Sequence, residues 1–172
     1  MAEEMKINDK YIDPKGVVKY LLYRYSFDGE PVTNLKIQKL LYYVYAWHLV
    51  INKERCFQEK FQAWPNGPVL PTIYRALKIY EAAPISTDFL DVDTKTLDEY
   101  ETKLKEELGS ALVGIIDQVY EKYGIKSAFE LVTLTHNEAP WQEARKNISD
   151  TEKTANQISD DVILNSYGQE KK

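Results

Sequence analysis

TNLKIQKLLYYVYAWHLVI, residues Thr33 to Ile51, carries the strongest structural signal in this chain of 172 residues. Ile37, Leu40, Leu41, Val44, His48 and Ile51 recur at helical spacing, and Tyr42, Tyr43, Tyr45, Ala46, Trp47, Leu49 and Val50 fill most of the opposite arc with apolar surface as well. A helix that is apolar nearly all round belongs in the middle of a domain. Thr33 can cap its first free amides, and Val32 and Ile37 occupy the two positions of a hydrophobic staple. Asn52 and Lys53 close it, Asn by tolerating a left-handed terminal residue and Lys by complementing the negative end of the dipole. The stretch is long enough to suggest a membrane span, but its tyrosines and tryptophan, with Lys36, Gln38, Lys39 and His48, argue against one.

Outward from this helix the chain reads as shorter helices. Asp13 and Pro14 start one whose stripe of Val17, Val18, Leu21, Leu22 and Tyr25 should lie against the central helix across the turn-rich Ser26–Pro31. Phe57, Phe61 and Ala63 alternate with polar residues, a short strand signal for one arm of a hairpin. Trp64-Pro65-Asn66-Gly67-Pro68-Val69-Leu70-Pro71 then imposes a rigid, sharply turned loop, and Pro71 opens a helix to about Tyr80 with Ile73, Tyr74 and Leu77 inward. An acidic connector over 81–95 precedes a long helical segment from Thr96 to Tyr123, where Thr96 and Glu99 make a capping box and Gly109 is the place for a break. Ser127 and Glu130 open a helix that stops at Thr135-His136-Asn137. Ala139-Pro140-Trp141 opens another to Arg145 or Lys146, residues 147–160 read as a polar loop, and Val162 to Tyr167 forms a last docking helix. The expectation is a mainly α protein, one compact helical domain around a central buried helix with at most a small β-hairpin. It would run over 13–167, between a flexible N-terminus at 1–12 and a frayed end at 168–172.

Composition narrows the function. A chain of this length can bury roughly 70% of its unfolded surface in one core and needs no metal or disulfide to hold it. The single Cys56 leaves no internal disulfide or thiolate cluster, and MAEEMKINDKYIDPKG contains no apolar signal core, so a cytoplasmic protein is expected. A net charge of −5 argues against nucleic acid as partner. Thirteen Tyr, three Trp and five Phe supply amphipathic area for a core or a protein interface.

Chemical motifs are missing. His48 and His136 stand far apart without metal-ligand spacing, and His48 reads as a hydrogen-bonded core residue. No glycine falls in a phosphate-loop pattern. Glu106 with Glu107, and Asp160 with Asp161, read as solvated helix charges. A nucleophile pair of Cys56 and His136 rests only on the presence of both residue types. No cofactor is expected, and a compact acidic domain rich in aromatics is most simply a binding module.

Three stretches in order, TNLKIQKLLYYVYAWHL at Thr33 to Leu49, FQAWPNGPVLPTIYRALK at Phe61 to Lys78 and LTHNEAPWQEAR at Leu134 to Arg145, resemble the Panacea domain, the SocA-like antitoxin family also called phage-associated protein. The resemblance implies the antitoxin of a toxin–antitoxin pair, neutralising by direct binding a protein toxin encoded by an adjacent gene in a bacterial or prophage genome. Family members protect against unrelated toxins, so the toxin, like the oligomeric state, stays open. Residues matching the family pattern give the candidate toxin-binding set Lys36, Gln38, Lys39, Trp64, Tyr74, His136, Trp141 and Arg145. These are expected to converge on one end of the molecule, with Trp141 and Arg145 four apart and able to stack. Two other readings stand beside this one: an adaptor delivering its partner to a cytoplasmic protease, and a hydrolase using Cys56 or His136.

Overall fold

A computed structural model of the chain describes residues 11–169, and among them are eight α-helices and one two-stranded antiparallel sheet. The fold is mainly α around one buried helix, as the sequence predicts. The N-terminal segment expected to be flexible falls largely outside the described residues, but its last two are tied down. The Ile12 amide donates to the Cys56 carbonyl at 2.8 Å, and Arg55 Nη2 donates to the Tyr11 hydroxyl at 3.3 Å.

Helix α1, Pro14–Phe27, starts where Asp13 accepts from the Lys15 amide, with Pro14 at its first position. Helix α2, Asn34–Asn52, is the central element: Thr33 accepts from the Lys36 amide, and Ile37, Leu40, Leu41, Tyr43, Val44 and Ala46 are wholly buried. Burying each large apolar side chain contributes about 1.5–3 kcal/mol before the entropy of ordering is counted. Lys53, rather than Asn52, takes the left-handed cap, at φ 59°. The final turn emerges into solvent: Ile51 is exposed, and His48 is half-buried rather than core, its Nδ1 donating to the Glu54 carbonyl at 2.9 Å.

The hairpin is shorter and later than the alternation suggests. Strands β1, Gln62–Trp64, and β2, Gly67–Val69, pair Gln62 with Val69, Ala63 with Pro68 and Trp64 with Gly67. Phe57 and Phe61 are instead plugs in the core. The Pro-rich stretch therefore supplies both the turn, at Pro65-Asn66, and the second strand, with Gly67 at φ +106°, a conformation open to glycine. On the far edge of β1 the expected polar loop is tied in: the Ala63 amide donates to the Asn156 carbonyl, and the Ile158 amide to the Phe61 carbonyl, both at 2.9 Å.

Helix α3, Pro71–Leu77, passes into a 3₁₀ turn, Lys78–Tyr80. The long segment divides at Gly109, φ +84°, into α4, Leu97–Leu108, and α5, Ser110–Tyr123. Helices α6, Ala128–His136, α7, Ala139–Ala144, and α8, Asp160–Gly168, complete the chain. Helix α2 packs against α8, α5, α6, β2 and α1. None of the described helices is long and apolar enough to cross a membrane.

Candidate functional site

The hairpin is held to the central helix by side chains, because three-residue strands leave many backbone groups without ladder partners. Gln38, buried in α2, accepts from the Leu70 amide at 2.8 Å and donates to the Asn34 side-chain oxygen at 3.0 Å. The next residue, Lys39, is completely buried and its Nζ donates to the Pro68 carbonyl at 2.9 Å. Desolvation pulls its pKa down from 10.5 to about 7. Gly67 is what lets this lysine in: a Cβ there would stand 2.6 Å from Lys39 Cε and 2.9 Å from Thr135 Oγ1.

The other side of the hairpin is gripped from α7. Trp141 Nε1 donates to the Trp64 carbonyl at 2.8 Å. Arg145, 4% exposed, donates to the Ala63 carbonyl at 2.7 Å and to the Ser149 and Glu152 carbonyls at 2.6 Å each. Its guanidinium lies 5.4 Å from the Trp141 ring, so the stacked pair forms, and His136 stacks on the same tryptophan at 4.0 Å and 17°. Burial lowers the His136 pKa against the opposing pull of the Pro65 backbone. His136 Nε2 and Arg145 Nε are buried and have no hydrogen-bond partner among the described residues.

The sequence-derived set therefore sorts by place. Gln38, Lys39, Trp64, Tyr74, His136, Trp141 and Arg145 converge around the hairpin. Lys36 does not: it reaches the end of α5 instead, donating to the Gly124 carbonyl at 2.7 Å above the Tyr25 ring. Gln38, Lys39, Trp141 and Arg145 are buried, whereas Trp64 and Tyr74 are half-exposed and meet edge to face at 4.9 Å. These two rings line an open groove of about 1000 Å³ between the hairpin, the start of α2, α3 and the 153–155 segment. Leu35 and Val69 add apolar wall, and Lys78, Glu81 and Lys153 also line it. Lys153 carries no sequence signal, since only the pairing of 156–158 with β1 brings it here.

The alternative nucleophile fits poorly. Cys56 is buried beside the α2 terminus, burial pushes its thiol pKa up, and His136 is stacked on Trp141. Asp160 is also more than a solvated charge, accepting from the Tyr45 hydroxyl at 2.6 Å and lying 3.7 Å from Arg55 Nε.

A second polar layer escaped the sequence reading. Glu138 accepts from the Tyr43 hydroxyl at 2.8 Å and from the Tyr167 hydroxyl at 2.7 Å, and Tyr42 and Tyr167 share a hydroxyl contact of 3.0 Å. Tyr43 stacks on Tyr123 at 4.0 Å, joining α2 to α5.

With a buried scaffold of this kind displaying an aromatic groove, the likeness to known proteins is informative. The chain belongs to the family described as antitoxin SocA-like, Panacea domain, whose pattern matches residues 37–142. That span takes in every residue of the sequence-derived set except Lys36 and Arg145. The chain is similar to Antitoxin SocA of Caulobacter vibrioides (strain NA1000 / CB15N), 36% identical over 64 residues, which are 37% of this chain and 34% of that protein. The match thus covers about a third of the relative's length. No solved structure matches.

Proposed function

We propose that this chain is the antitoxin of a toxin–antitoxin pair and neutralises a protein toxin, encoded by a neighbouring gene, by binding it in the cytoplasm through the hairpin face. Family membership supports the antitoxin role. The observation that carries the choice of face is the division of labour at the hairpin. Buried Gln38, Lys39, Trp141 and Arg145 fix the backbone, and Trp64 and Tyr74 are left on the rigid surface so formed. A preorganised aromatic surface loses little entropy on binding. In this reading Trp64 and Tyr74 touch the toxin, Gln38, Lys39, His136, Trp141 and Arg145 position them, and Lys36 fastens α2 to Gly124 on another side. No chemistry is assigned to the chain.

Expression of the neighbouring gene alone should arrest growth, and co-expression of this chain should restore it. Trp64→Ala with Tyr74→Ala should abolish rescue and co-purification while the circular dichroism spectrum and melting temperature stay near wild type. Retained rescue by that folded double variant would remove the hairpin face from the reading. Toxin turnover that vanishes in a protease-deficient cell would favour an adaptor over a blocking antitoxin.

A further inference from the structure

The groove is apolar for a reason that constrains its occupant. Two of its polar lining groups are already engaged within the protein: Trp64 Nε1 donates to Gln62 Oε1 at 2.8 Å, and Gln38 is used at both ends. The open floor is therefore mainly apolar, made by Leu35 and the rings of Trp64 and Tyr74, and it favours an apolar side chain over a polar one. The charges beside it are in the opposite condition. Elsewhere Arg24, Arg55, Lys60, Lys103 and Lys105 each have a carboxylate within salt-bridge distance, whereas other surface cations such as Lys19, Lys53 and Arg75 have none among the described residues. Lys78 and Lys153, exposed at the groove, have none among the described residues. Glu81 is the opposing charge there, and its backbone is held at φ +51°, costly for a residue with a Cβ and the kind of local strain that gathers at binding surfaces.

We propose that the groove receives a segment of the partner polypeptide that carries an aromatic or branched aliphatic anchor with an acidic residue next to it, the anchor against Trp64 and Tyr74 and the carboxylate between Lys78 and Lys153. This rests on the antitoxin reading and specifies the chemistry that the toxin must display. Apolar burial supplies most of the affinity, and the paired lysines supply register and discrimination against basic segments.

The test selects a random twelve-residue phage-displayed peptide library on the full chain and counter-selects on the Trp64→Ala variant. Enriched peptides should combine a Phe, Tyr, Trp, Leu or Ile with Asp or Glu within two residues. A fluorescein-labelled peptide synthesised from that consensus should bind at least ten-fold more weakly to the Lys78→Glu, Lys153→Glu double variant, and a charge-reversed peptide, with Lys for the acidic residue, should bind that variant better than it binds wild type. No groove-dependent enrichment, a basic or purely polar consensus, or a charge reversal without effect would each overturn the proposal. The same double variant is assayed for rescue from the toxin. Rescue undiminished by the charge reversal but lost in Trp64→Ala, Tyr74→Ala overturns the acidic segment and leaves the antitoxin reading standing. Rescue undiminished in both variants removes the face as well.

Discussion

The two polar layers of this protein, one under the hairpin and one among the tyrosines of the central helix, solve the same problem by different means. In the tyrosine layer helices have already satisfied the backbone, so only side-chain hydroxyls need partners. Glu138 and Asp160 take them from Tyr43, Tyr167 and Tyr45. Under the hairpin the backbone itself is short of partners. Gln38, Lys39 and Arg145 supply them, Lys39 and Arg145 donating to four carbonyls and Gln38 accepting from an amide. Long polar side chains appear where regular structure is thinnest and neutral hydroxyls where it is thickest. The first arrangement fixes a surface loop, and the second fixes the interior.

The comparison predicts that the hairpin layer is the more costly to break. Arg145→Ala should destabilise the protein by about 4 kcal/mol, because it strands three carbonyls at the base of the hairpin. Arg145→Lys should recover only part of this, lacking the fork. Equilibrium urea unfolding followed by tryptophan fluorescence checks both, and a loss below about 1 kcal/mol for Arg145→Ala would put the layers on equal terms.

Glu138→Ala should cost less, about 2 kcal/mol, since Tyr42 and Tyr167 keep one another as partners across their 3.0 Å contact and only the Tyr43 hydroxyl loses its acceptor. A larger loss than that of Arg145→Ala would invert the comparison.

Reckoned per pH unit, the smallest effect is in pH dependence. Burial lowers the folded-state pKa of Lys39 to about 7 from 10.5, so between those values the folded chain holds fewer protons at this site than the unfolded chain. The site's contribution to stability rises with pH across that window, by at most about 1.4 kcal/mol per pH unit, and is lost as pH falls toward 7. His136, whose pKa is also lowered, by burial first and by repulsion from the like charge of Lys39, continues the trend on the acid side. Above about pH 10 the buried tyrosines reverse it, because their pKa values are raised and the fold holds them neutral. Lys39→Met should flatten the rise between pH 7 and 10 in a series of melts at fixed ionic strength. An unchanged slope would place the titration elsewhere.

Much of this was readable from local rules. Asp13 before Pro14, Thr33, Thr96 and Ser127 sit at helix starts because caps are chosen by neighbouring amides, and Gly109 breaks the long helix because its φ is positive. The three motifs likewise named the side chains that meet at the hairpin. Partner choice across the chain was not readable. Nothing near Lys153 points to Trp64, nothing near Glu138 points to Tyr167, and Lys36 differs from Lys39 by less than one helical turn yet reaches Gly124 where Lys39 reaches Pro68.

The sequence by itself determined the buried central helix, the helix boundaries and the family, since each depends on residues within a turn or a motif of one another. Only the tertiary structure decided which of the motif residues carry the fold and which are left to meet a partner. Burial is set by what packs over a side chain, and the segments that cover Lys39 and Arg145 lie tens of residues away from the first and on both sides of the second. The same covering leaves Trp64 and Tyr74 half open to solvent.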